Sequence, residues 1–268
     1  ALEILRRAVD QRLACDFHNA EKSYQHVLLE HPDEHEALWG CLLCRYGVEY
    51  VEDPISKRRM PTVHTIRPKP LQEQADYHRA CDFAPPEVRA QYELDAAYID
   101  DAQASIRQLA QSCQPYDVFL CHKTTKPGSM EKTEDFHRAT SLYHFLKDQG
   151  VRAFFAPESL QSAAGANYEA GIYHALQTAK VMLVICSDAS YLTSAWVRSE
   201  WSRFFEMTES APDKRLIPLL YDHFSASDLP KEFIFRRLQG LDMTEITAPQ
   251  TLMNLLENAV FHAHGMRN

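Results

Sequence analysis

Two tryptophans and a glutamate share six consecutive positions, Trp196 to Trp201 with Glu200 between them, in the stretch TSAWVRSEWSRF (193–204). The whole chain of 268 residues holds three tryptophans. On a helix, Trp196 and Glu200 stand at i and i+4 on one flank, with Arg203 one turn further on. Val197, Trp201 and Phe204 form an adjacent apolar stripe, the side expected to face a core. One indole then anchors the helix, while the other stands beside a carboxylate near the helix N-terminus. An aromatic plane beside a carboxylate suits a ligand with a flat ring and a developing positive charge. The competing reading is an ordinary i,i+4 pair on the surface of a core helix.

Other chemistries find less support. A first strand ends at Cys121-His122-Lys123, and no glycine-rich loop follows, so neither a dinucleotide fingerprint nor a P-loop is present. A phospho-receiver domain needs acids at the ends of its first and third strands, and here the first carries a cation. No Gly-x-Ser-x-Gly elbow supports a serine hydrolase. The seven cysteines are an odd, scattered set that fits a reducing, cytoplasmic setting. Cys41 and Cys44 of CLLC sit in an apolar helical pattern and read as buried thiols rather than metal ligands. The 13 histidines show no zinc spacing, and HAH near the C-terminus reads as a solvated tail, so no metal is expected. A net charge of −9, with neither half basic, argues against nucleic acid or an anionic membrane as a direct partner. No apolar run approaches the roughly 18 residues of a membrane-spanning helix, and nothing resembles a signal peptide.

The elements that must position Glu200 divide at Pro115. Before it, the first ~110 residues read as helical. Ala20, Tyr24, Val27 and Leu28 recur at helical spacing, Pro32 stops that helix, and a second begins before Ala37; the pair resembles half of a tetratricopeptide repeat. Residues 50–72 carry Pro54, Pro61, Pro68 and Pro70 with the basic cluster SKRR, and read as a long irregular loop. Helices resume, and Tyr92, Ala96, Ile99, Ala102 and Ile106 share one face. The chain opens inside an amphipathic pattern (Leu2, Leu5, Val9, Leu13), which reads as a piece of something longer.

From Pro115 short apolar runs recur about every 30 to 35 residues, the length of a strand plus a crossover helix. Strands are expected near 116–121, 151–155, 181–186, 215–220 and 237–241. The helices between them begin with Thr133 and Ser194 as N-caps, and one ends at Gly150. Nearly continuous apolar strands separated by helices predict a parallel sheet covered on both faces. Such sheets hold ligands at the carboxyl ends of their strands.

The segments YDVFLCHK, FFAPESLQSAAGANYEAGIYHALQTAKVMLVICSDASYLTSAWVRSEWSRF, RLIPLLYD and RLQGLDM resemble a Toll/interleukin-1 receptor (TIR) domain over about 115–265. The combination of the opening box, a third strand ending in serine and S-x-W-x-x-x-E carries the resemblance. The chain looks most like bacterial TIR proteins with a helical segment bearing YGVEYVEDP (Tyr46 to Pro54) ahead of the domain. The resemblance implies a flavodoxin-like α/β domain with a five-stranded parallel sheet over 113–268, preceded by an all-α, tetratricopeptide-like domain over 1–112.

It implies two functions. Some TIR domains cleave the nicotinamide–ribose bond of NAD+ in cytoplasmic antiviral defence, releasing linear or cyclic ADP-ribose; others are adaptors that only assemble. A glutamate four residues beyond a tryptophan distinguishes the enzymes, and Trp196 and Glu200 match it. NAD+ is then substrate, with no further cofactor. Glu200 would stabilise an oxocarbenium-like ribose and hold its hydroxyls. Trp196 would form the pocket wall, His122 and Lys123 would hold substrate, with Lys123 meeting a phosphate, and Phe154 would stack on nicotinamide unless it belongs to the core. Self-association is expected through the loop 156–169, which in this family contacts the next subunit and gates the pocket. Here that loop is small and weakly charged where relatives carry more charge.

Overall fold

The computed structural model describes residues 2–52, 59–161, 166–222, 224, 229 and 240–261. The chain divides into two compact units, Ala1–Ser112 with Ala163–Tyr173, and Cys113–Ser162 with His174–Asn268.

The first unit is built on helices α1 (Leu2–Leu13), α2 (Phe17–Glu30), α3 (His35–Arg45), α4 (Ala75–Phe83) and α5 (Pro86–Ser112). Asp16 caps α2 by accepting the Asn19 N–H. Ala20, Tyr24 and Val27 are buried against α3, which is buried from Ala37 to Cys44. Gly40 is required there, because a Cβ would lie 2.4 Å from Cζ of Tyr24. Burial pushes the Cys41 and Cys44 thiols up to about 12. Tyr92, Ala96, Ile99, Ala102 and Ile106 of α5 are buried, as their shared face requires.

The segment 50–72 departs from the irregular loop read in the sequence, and the unit is not helical throughout. Strands β1 (Val48–Glu52) and β2 (Arg59–Val63) form an antiparallel pair with Val48 opposite Val63 and Tyr50 opposite Pro61. Gly47, at φ +58, turns the chain out of α3 into β1. Backbone N–H groups alternate in direction along a strand. His64 donates inward to Gly47 O at 2.7 Å, whereas the Val63 N–H points outward to the Glu169 carboxylate at 3.0 Å. Pro61 shares the outward parity of Val63, so its missing N–H falls on the edge and costs no ladder bond. Residues 53–58, with most of SKRR, lie outside the described residues.

The second unit is a parallel five-stranded sheet in the order β4-β3-β5-β6-β7. The strands are β3 (Val118–Cys121), β4 (Ala153–Phe154), β5 (Val181–Cys186), β6 (Arg215–Leu220) and β7 (Leu241–Asp242). Every residue of β5 is buried, which explains its unbroken apolar run. Helices α6 (Glu134–Asp148), α7 (Ala156–Ser159), α8 (Ala166–Thr178), α9 (Ala195–Ser210) and α10 (Ala248–Leu256) accompany the strands; α8 belongs to this unit from His174 onward. Val118, Leu120, Leu183, Ile185 and Leu219 share a core with Leu146 of α6 and Leu252 and Leu256 of α10.

Thr133 caps α6, accepting the Phe136 N–H at 3.1 Å. Ser194 holds the N-cap position of α9 without a side-chain cap bond, and its hydroxyl donates instead to Tyr191 O at 2.8 Å. The strand expected at 237–241 falls partly on 237–239, outside the described residues, as do Gly165 and the HAH tail. Among the described residues, no helix is long and apolar enough to cross a membrane.

Candidate functional site

Cys121 ends β3, fully buried and level with Val184 of β5. Helix α9 lies beside this strand end. Its Val197, Trp201 and Phe204 are buried, and the Trp201 indole N–H donates to Leu192 O at 2.9 Å. Trp196 and Glu200 are half-buried on the adjoining flank, the geometry their i,i+4 spacing demands. Arg203, one turn further along that flank, is buried at 1% exposure.

The Cys121 thiol joins strand to helix. It donates to Val197 O at 3.7 Å, and the Glu200 carboxylate is near enough to disfavour its ionisation. Burial pushes the thiol well above its usual 9.0, and the negative charge of Glu200 pushes it the same way. It stays protonated at neutral pH and serves as a donor. Glu200 therefore lies near the carboxyl end of β3, where an open parallel sheet forms its ligand crevice.

His122 follows Cys121 immediately and takes the other face. Its ring packs on Phe155 at 5.1 Å and Phe136 at 6.0 Å, on the α6 side. Nδ1 lies 3.3 Å from Leu120 O and Nε2 3.4 Å from the Thr124 hydroxyl. Burial pushes it from the usual 6.5 to about 4, against the opposing effect of the Leu120 carbonyl. The imidazole is therefore neutral, and the fold does not bring it to Glu200. Lys123 is half-buried; its carbonyl accepts the Thr133 hydroxyl, which ties the loop to the start of α6. Phe154 is a core ring, 1% exposed, stacked on Phe119 at 4.8 Å and met edge-on by Tyr116 at 5.3 Å. Those contacts are core packing, the alternative the sequence left open for this ring.

Asp135 stands in the first turn of α6. It is fully buried, accepts the Ser187 N–H at 2.7 Å, and ties α6 to the exit of β5. Burial pushes its carboxyl up to about 6, against hydrogen bonds that favour the charge. Nothing in Thr-Glu-Asp-Phe distinguishes this inward acid from its exposed neighbour Glu134. An open cavity of about 460 Å³ lies on α6, lined by Glu134, His137, Arg138, Ser141, Leu142 and Tyr221. None of the expected site residues lines it. Arg138 there stands 4.2 Å over the Tyr221 ring and 3.1 Å from Glu134.

The arrangement can present a half-buried carboxylate to a ligand at the strand ends, with an indole on the same flank. No curated protein and no solved structure matches the chain. A family model described as TIR domain matches residues 118–256.

Proposed function

The chain belongs to the TIR-domain family, and on that premise we propose that it is an NAD+ nucleosidase with Glu200 as its catalytic residue. One observation carries the reading: Glu200 lies near Cys121 at the carboxyl end of β3, on the same half-buried flank of α9 as Trp196. The bond between ribose and nicotinamide breaks heterolytically. Its electron pair leaves with nicotinamide, which departs neutral, so no general acid is needed. The positive charge stays on the ribose, where the Glu200 carboxylate stabilises it. Water then attacks the same carbon and sheds its proton, giving ADP-ribose; attack by a group within the substrate gives the cyclic product.

The neighbouring residues divide accordingly. Trp196 forms a wall against the ring or ribose. Cys121 is kept protonated and is no nucleophile. His122 is neutral and enclosed, so Lys123 is the strand-end group suited to a phosphate. We place the enzyme in the bacterial cytoplasm, acting in antiviral defence and activated by self-association through the segment 156–169. The test is product analysis after mixing concentrated protein with NAD+. Release of nicotinamide, with specific activity that rises with protein concentration, supports the reading. Assembly without nicotinamide release favours the adaptor.

A further inference from the structure

We propose that Asp135 is a positioning residue for Glu200, holding Ser187 at the exit of β5 and so setting the turn that delivers α9 to the strand ends. This rests on the reading of Glu200 as catalytic. Asp135 is fully buried, and its Oδ1 accepts the Ser187 N–H at 2.7 Å. The chain from there to α9 has little slack. The Asp188 carboxylate accepts the Ser190 N–H at 2.9 Å and the Ser190 hydroxyl at 2.7 Å, and its carbonyl accepts the Tyr191 N–H at 3.0 Å. Tyr191 O in turn accepts the Ser194 N–H at 3.1 Å and the Ser194 hydroxyl at 2.8 Å, immediately before α9. Leu192 is fully buried, and its carbonyl takes the Trp201 indole N–H. These short-range bonds close 187–194 into one turn, pinned from outside at Ser187 by Asp135 and at Leu192 by Trp201.

Asp135 itself stands on a fixed base. Thr133 caps α6 through the Phe136 N–H at 3.1 Å, and its hydroxyl donates to Lys123 O just beyond β3. Ala139 and Leu146 bury the same helix in the core of the sheet. The charge on Asp135 sets how firmly the brace holds, because a carboxylate makes a bond roughly twice as strong as a neutral acid does. Oδ2 is enclosed with no hydrogen-bond partner, although the Lys123 N–H is near enough to favour the charge. Burial holds the carboxyl at about 6, so the strong and weak forms of the brace exchange in an ordinary pH range. The ionisable groups around it titrate elsewhere. The Cys121 and Cys186 thiols and the Tyr191 and Tyr221 phenols are all raised from their usual values. His122, on the α6 side, is pushed to about 4, and the Arg138 guanidinium, 3.1 Å from Glu134, keeps its charge.

Two readouts test this. The indole N–H resonance of Trp201, identified by its loss in Trp201→Phe, reports the α9 end of the turn without any need for activity. In the parent it shifts together with the Ser187 amide resonance as pH falls, with one midpoint near 6, and in Asp135→Asn both stay still. In turnover of NAD+, kcat/KM falls about fivefold through the same midpoint, the loss expected when a charge-assisted bond becomes a neutral one. Asp135→Asn keeps an acceptor oxygen without the charge, so it sits on the lower plateau at every pH; a merely structural acid predicts a profile of the parent's shape. A Trp201 resonance that does not follow the Ser187 amide, or an undiminished limb near pH 6 in Asp135→Asn, overturns the proposal. If Asp135→Asn does not fold, the shared midpoint of the two parent resonances decides it. A parent that releases no nicotinamide while both resonances move together overturns the proposed function and leaves Asp135 as a brace of α9 only.

Discussion

Cys121 and His122 are neighbours in the chain and lie on opposite faces of one sheet, and both are held neutral by burial. The face toward α6 encloses His122 between Phe155 and Phe136 and occupies its nitrogens with Leu120 O and Thr124. That leaves neither His122 nitrogen for a ligand. The face toward α9 also buries its thiol, which donates to Val197 O, and Glu200 of the same helix is half-buried nearby. Chemistry is assigned to the α9 side because Glu200 shares a half-buried flank with Trp196 there.

The largest effect expected separates the two flanks of α9. Trp201 is buried and donates its indole N–H to Leu192 O. Trp201→Ala should cost about 3–5 kcal/mol of stability, read by chemical denaturation. A loss below ~1 kcal/mol would show that the stripe of Val197, Trp201 and Phe204 is not what holds the helix. Glu200→Gln is the counterpart on the other flank. It should lower NAD+ cleavage by about 10²–10³ and leave the denaturation midpoint near that of the parent. Parent-like turnover in this variant would end the assignment of chemistry to the α9 face.

How much of this was readable beforehand follows from what periodicity encodes. The runs VFLC and VMLVIC announced β3 and β5 because a strand buried on both faces has no polar positions. The buried stripe of α9 and the half-buried flank of Trp196 and Glu200 followed from helical spacing. Arg203 shows the limit: spacing fixes an angle around the axis but not depth along it, and Arg203 is buried where Glu200 is not. The β1–β2 pair was hidden by its prolines, since only the register reveals that Pro61 faces an edge. Phe154 stayed ambiguous because a sequence does not say whether a ring's partner is protein or ligand; Phe119 is the answer. The Cys121 thiol meets the Val197 carbonyl 76 positions away, and no local pattern encodes such a pair.

The α6 face can be probed through pH. His122 is pushed from 6.5 to about 4, so between those values the unfolded chain binds the extra proton. Its contribution is complete above pH 6.5 and is lost as pH falls toward 4, up to about 3 kcal/mol. Asp135 has the opposite sign. Its carboxyl is raised from 3.8 to about 6, so the folded protein takes up the proton first and gains stability over the same fall. The parent should therefore show a shallow acid profile in which the two partly cancel. His122→Gln should gain stability from pH 6 to 4, and Asp135→Asn should lose it more steeply than the parent. Denaturation midpoints measured across this range check both. If the two variants track the parent curve, the α6 face is not silencing its ionisable groups by burial.

The smallest effect concerns Trp196, and it decides whether the α9 flank works as one device or two. Trp196 is half-buried, four residues before Glu200 on the same side of the helix. A wall that touches substrate and transition state alike changes KM and leaves kcat alone, whereas a group that orients the carboxylate changes kcat. Trp196→Ala should therefore raise KM for NAD+ about tenfold, keep kcat within about threefold and restore a low KM in Trp196→Phe, which keeps an aromatic face. Because the indole is not enclosed, stability should fall by less than ~1.5 kcal/mol, well under the loss at Trp201. Steady-state kinetics on Trp196→Ala and Trp196→Phe give the answer. A fall in kcat at Trp196→Ala with KM unchanged would mean that the indole acts by orienting Glu200 rather than as a wall.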